Sequence, residues 1–155
     1  MGSRHYPAPE LDVTEWIGTP HTLGELRGKV VLIEAFQMLC PGCVRYGLPQ
    51  AQKVHRAFPQ VTVLGLHTVF EHHEVTGVDA LKVFLSEFRL TFPVGIDRQD
   101  GGMLPVTMRT YGLEGTPSTL VIDREGGLAL SHFGQLDDLA LGAVLGEVIA
   151  ARAEQ

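Results

Sequence analysis

Cys40 and Cys43 are the only cysteines of the 155-residue chain, and Pro41 and Gly42 alone separate them. Thiols at this spacing can exchange with a disulfide, supply half of a thiolate metal site, or sit as two small buried hydrophobes. Six residues upstream, Glu34 interrupts the otherwise apolar run Val30-Val31-Leu32-Ile33-Glu34-Ala35-Phe36. A lone carboxylate in such a run is costly unless it has a partner or a task, and burial raises its pKa. A third feature is Gly115-Thr116-Pro117, directly ahead of the apolar run that starts at Ser118. A proline that opens a strand has no N–H to donate, so that position suits it.

The elements that must position these residues follow from apolar periodicity. Val30 to Phe36 and Val61 to Leu66 read as strands covered on both faces, and the segment from Val44 to Phe58 between them reads as a helix. Val78 to Phe88 carries apolar residues at 78, 81, 84, 85 and 88, one helical face, with Asp79 in the first turn where negative charge suits the dipole. Phe92 to Ile96 makes a short strand limited by Pro93, and Leu104 to Tyr111 a short helix. Ser118 to Asp123, the turn Arg124 to Gly127 and Leu128 to Phe133 form an antiparallel hairpin, and Leu136 to Ala151 a closing helix. Upstream, Asp12 to Ile17 reads as a strand and Leu23 to Arg27 as one helical turn ending at Gly28. A β–α–β half followed by a β–β–α half implies one α/β domain over residues 1–155, a mixed sheet with helices on both faces.

This order gives the cysteines a chemical setting. Cys40 falls where a helix begins, and there unpaired backbone N–H groups and the positive dipole end favour thiolate over thiol, below the free value of about 8.5. Cys40 is the attacking thiol, and Cys43, one turn further in, resolves the mixed disulfide. Pro41 stiffens the turn, and Gly42 is expected to leave its upper face open to a docking partner. Glu34 is the candidate acceptor for the Cys43 proton, and the alternative is a strand-edge ion pair with a lysine such as Lys29.

The CxxC after the first buried strand, the Leu23-Gly24-Glu25-Leu26-Arg27-Gly28-Lys29-Val30-Val31-Leu32 stretch, Gly65-Leu66-His67-Thr68 and the later Thr116-Pro117 together resemble the thioredoxin-like superfamily, in its TlpA-like and redoxin branch. They are also similar to the thioredoxin-like domains of DipZ-type membrane reductases. The resemblance spans about Pro9 to Ala151. It implies a thioredoxin fold with an N-terminal β extension and a helical insertion after the second core strand, a buried acid at Glu34, and a cis Pro117 facing the cysteines. It further implies a thiol-disulfide oxidoreductase with no cofactor beyond the Cys40–Cys43 couple. Its partners would be protein or small-molecule disulfides and an upstream or downstream dithiol protein. Substrate chains would lie along Thr116, Pro117, Leu39, Pro41 and Gly42. Two departures stand out. Leu39 occupies the usual tryptophan position, and Pro49 comes one residue late, an insertion that the helix can absorb as a π-bulge near Tyr46-Gly47.

Other functions are weighed against the same residues. A peroxiredoxin-type peroxidase carries a threonine and a proline where this chain has Gln37 and Ile33. Zinc or copper could in principle take Cys40 and Cys43 with His67, His72 or His73, but no second CxxC completes a four-ligand set, so no metal is expected. A redox-silent binding module would have no need of an intact CxxC. The net charge of −6 and scattered basic residues argue against nucleic acid. No apolar run approaches the ~20 residues of a membrane span, so no membrane insertion is expected. The first ten residues hold no signal-like segment, which points to the cytoplasm, or to the periplasm if a leader has been removed. A monomer or weak homodimer is expected.

Overall fold

The computed structural model describes residues 4–151. Six strands form one mixed sheet in the order β1-β4-β3-β2-β5-β6. β2 (Val30–Phe36), β3 (Val61–His67) and β4 (Val94–Asp97) run parallel, while β1 (Val13–Ile17), β5 (Ser118–Ile122) and β6 (Leu128–Phe133) pair antiparallel with their neighbours. β2 lies between β3 and β5, and all seven of its residues are buried, as its continuous apolar run predicts.

Alternation along β2 divides the core. Val30, Leu32 and Phe36 pack in one cluster with Leu48, Ala51 and Val54 of α1 (Leu48–Ala57), Leu81 and Leu85 of α2 (Val78–Glu87), and Leu141 and Leu145 of α4 (Asp138–Ala150). Val31, Ile33 and Ala35 face the other way, against Met108 of α3 (Val106–Thr110), Leu113 and the upstream Leu23 and Leu26. The fold is the mixed α/β thioredoxin-like arrangement expected from the order of elements.

Local departures have identifiable causes. Residues 23–28 form consecutive turns instead of a helical turn, with Leu26 N–H donating to Leu23 O and Lys29 N–H to Leu26 O. Leu23 and Leu26 are anchored by burial all the same. The fourth strand starts after Pro93, whose carbonyl accepts from Gly65 N–H. α4 starts two residues later than expected because Asp137 is its N-cap, its side chain accepting from Ala140 N–H at 3.1 Å. The extra residue ahead of Pro49 is absorbed as anticipated: Cys43–Gly47 is a π-helical turn, closed by Leu48 N–H donating to Cys43 O. Pro49 thereby falls in the first turn of α1, where its missing N–H costs nothing. Among the described residues no helix is long and apolar enough to cross a membrane.

Candidate active site

β2 delivers the chain from the centre of the sheet to the dithiol. Cys40 and Cys43 are joined as a disulfide, with their Cα atoms 5.2 Å apart. Val44 N–H donates to Cys40 O at 3.1 Å, so Cys40 sits at the very start of the helix. Cys43 N–H points at Cys40 Sγ, 3.3 Å away, and such a donor stabilises a thiolate there once the disulfide is opened. Cys40 is partly exposed and Cys43 fully buried. A partner sulfur can therefore reach the first and not the second.

The Thr116–Pro117 bond is cis and faces the cysteines. Thr116 carbonyl oxygen and Oγ1 each lie 3.5 Å from Cys40 Sγ. Pro117 also touches the helix: a Cβ on Gly42 would stand 3.1 Å from Pro117 Cδ. Gly42 is half-buried, and its missing side chain allows close packing against Pro117. Pro41 is exposed, and Leu39, 58% exposed, puts an aliphatic group on the rim.

Glu34 is 1% exposed in the middle of the sheet. Its Oε1 accepts from Thr119 Oγ1 at 2.8 Å across the β2–β5 pair, and not from Lys29, because the central strand has no solvent edge at which a lysine pair could form. Oε2 is buried with no hydrogen-bond partner among the described residues. Burial pushes the carboxyl up to about 8, against a smaller lowering by the Thr119 bond. A Cβ on Gly47 would lie 2.5 Å from Glu34 Oε2 and 2.8 Å from Pro117 Cβ. Only glycine at the end of the π-turn lets the acid and the cis-proline lie together beneath the helix that carries the dithiol.

Three contributors escaped the sequence reading. Gln37, 5% exposed, donates from Nε2 to Thr116 Oγ1 at 3.3 Å and accepts from Phe70 and Glu71 N–H at 3.0 and 3.1 Å. It ties the segment after β3 to the cis-proline loop, and its only sequence signal is an amide directly after a buried strand. Thr119 and Gly47 carry no such signal, since strand register and helix phase decide what they face. His67 is buried at the end of β3 with its ring 5.1 Å from that of Phe36, and burial lowers its pKa to about 4. His72 and His73 are exposed on the loop beyond. Among the described residues no group of three His, Cys, Asp or Glu side chains could hold a metal.

A mixed sheet, a CxxC disulfide at the start of the helix after its central strand, and a cis-proline packed on that helix define the thioredoxin-like class. The chain belongs to the AhpC/TSA family, whose model matches residues 5–131. Among relatives, the thiol-disulfide oxidoreductase ResA of Geobacillus thermodenitrificans is 29% identical over 123 residues, covering 77% of this chain and 63% of that protein. The chain thus spans under two thirds of the length of that relative. A crystal structure of a thioredoxin-like superfamily protein is 52% identical, covers 96% of this chain and 99% of its own, and superposes with a TM-score of 0.93. That of a thiol-disulfide isomerase from Corynebacterium glutamicum is likewise 52% identical, covering 94% and 97%, with a TM-score of 0.89.

Proposed function

We propose that this protein is a thiol-disulfide oxidoreductase that exchanges its Cys40-Pro41-Gly42-Cys43 dithiol with protein disulfides. The observation that carries the reading is the asymmetry of the pair: an accessible Cys40 under Cys43 N–H, and a buried Cys43 in the turn that closes over an unsatisfied carboxyl oxygen of Glu34. The names of ResA and of the Corynebacterium isomerase support the same reading.

In the reducing direction, the Cys40 thiolate attacks one sulfur of the substrate disulfide and the other leaves as a thiolate that takes a proton. Glu34, as carboxylate, accepts the Cys43 proton, and the Cys43 thiolate then attacks Cys40 Sγ. The second substrate sulfur departs with that proton. The substrate gains two electrons and two protons, and the protein is left as the Cys40–Cys43 disulfide. Thr116 and Pro117, beside Cys40, hold the substrate chain against the sulfur, and Leu39 contacts it from the rim. The same steps reversed oxidise a substrate dithiol, and the reduction potential of the couple sets the direction.

The test is reduction of insulin disulfides by the reduced protein, with Cys40→Ser and Cys43→Ser beside it. Wild type is expected to turn over, Cys40→Ser to be inert, and Cys43→Ser to accumulate the mixed disulfide. Equal activity of all three proteins would reject the reading.

A further inference from the structure

We propose that the cleft between α1 and the C-terminal end of α2 binds a small apolar anion, a hydrophobic carboxylate whose hydrocarbon enters the cleft and whose charge meets Arg56 and Arg89. The cleft holds about 300 Å³, the lower end of the range for small-molecule sites, and Val44, Leu48, Phe84 and Phe88 supply its apolar walls. These walls are set by the core and do not depend on a ligand to form. Phe84 stacks on the fully buried Phe36 with ring centroids 6.4 Å apart and meets Phe88 at 4.7 Å. Phe88 is nonetheless 55% exposed, apolar surface that the described residues leave uncovered.

Charge selects the occupant. In a chain with twelve Lys and Arg against eighteen Asp and Glu, the cleft is lined by Lys53, Arg56 and Arg89 and by no acidic residue among those described. Lys53 is engaged by Asp138 at 3.3 Å. Neither the Arg56 nor the Arg89 guanidinium has an ion pair or hydrogen bond within the protein among the described residues. Guanidinium groups beside an apolar cavity suit a carboxylate, which can take two parallel hydrogen bonds from one of them.

The backbone adds an independent observation. Arg89 has φ 54°, and Leu90 N–H closes the end of α2 onto Leu85 O, so Arg89 fills the left-handed position that glycine ordinarily takes there. Among the described residues none pairs with its side chain. A volume of about 300 Å³ matches a small molecule. Val44 directly follows Cys43, which puts the occupant against the same helix that carries the dithiol. The site itself does not depend on the redox reading.

Octanoate serves as the probe, titrated into the oxidised protein by calorimetry and by NMR shifts of the Val44, Leu48, Phe88 and Arg89 amides, with octanol and octylamine as controls. Arg89→Gly suits the left-handed backbone, so paired with Arg56→Gln it removes both guanidinium groups without threatening the fold. Saturable octanoate binding at those amides, weakened about tenfold or more for octanol and for the double variant, is the expected result. Equal binding of octanoate and octanol, or an unaffected double variant, would overturn the proposal. So would no saturable binding up to ~10 mM. A concentration-dependent dimer dissolved by Phe88→Ser would also overturn it, assigning the cleft to a second copy of the chain.

Discussion

At Glu34 a carboxyl group is kept inside the sheet with one oxygen bonded to Thr119 and the other left without a partner. Such a group is stable in place as the neutral acid and becomes a strong proton acceptor near pH 8, where burial has moved it. Glu34→Gln is therefore expected to slow resolution of the mixed disulfide by about a hundredfold to ten-thousandfold, the usual contribution of general-base help, and to remove the limb near pH 8 from the rate profile. Stopped-flow measurement of the second step across pH reads both, and an unchanged profile would remove Glu34 from the chemistry. Gly47 is a positioning residue for that acid. Gly47→Ala drives a methyl group toward Glu34 Oε2 and Pro117 Cβ, with an expected stability loss of about 1–3 kcal/mol from overpacking and a shifted limb in the same profile. A loss of stability with the limb unmoved would leave Gly47 a packing residue only.

The elements show how a single inserted residue is used. An α-helix running straight from Cys43 would carry Pro49 past its first turn, where the lost N–H and the ring clash would break the helix. The π-turn at Cys43–Gly47 takes up the inserted residue where the helix passes into α1 at Leu48, and it turns Gly47 onto the acid and the cis-proline. A second element rests on one side chain. The buried Asp97, at the end of β4, accepts from Thr107 N–H at 2.7 Å and Met108 N–H at 2.9 Å, so it caps α3 from within the core. Asp97→Ala leaves both donors buried and unpaired, and is expected to cost about 2–4 kcal/mol in urea unfolding. Cys40 reactivity should survive, because α3 packs on the opposite face of the sheet from the dithiol helix.

Across the whole molecule two buried groups pull stability in opposite directions with pH. Glu34 is raised from 4.5 to about 8, so its folded-state advantage is complete below pH 4.5 and is lost as pH rises toward 8. His67 is lowered from 6.5 to about 4, so its contribution is complete above pH 6.5 and is lost as pH falls toward 4. Between about 4.5 and 6.5 the two slopes cancel, and from 6.5 to 8 the Glu34 slope alone remains. Unfolding free energy of the oxidised protein is expected to be flat in the first window and to fall by about 2 kcal/mol across the second. Glu34→Gln should abolish that fall, and a fall that persists in the variant would assign it to another group. The same two residues mark how far the chain could be read before its structure. The strands, the helices, the CxxC, the acid within β2 and the proline ahead of β5 were legible as sequence, because apolar periodicity and turn chemistry are local. The helical turn expected at Leu23 was not, since a leucine anchored by burial needs no helix. Nor were the roles of Gly47, Gln37 and Thr119. By itself the sequence determined which chemical groups are present and on which element each one rides. Only the tertiary structure decided that Thr119 lies opposite Glu34, that Gly42 and Gly47 pack on Pro117, and that two arginines border one apolar cleft. Those contacts join residues from separate elements, and their register is set by the packing of the sheet and helices and by no local preference of the chain.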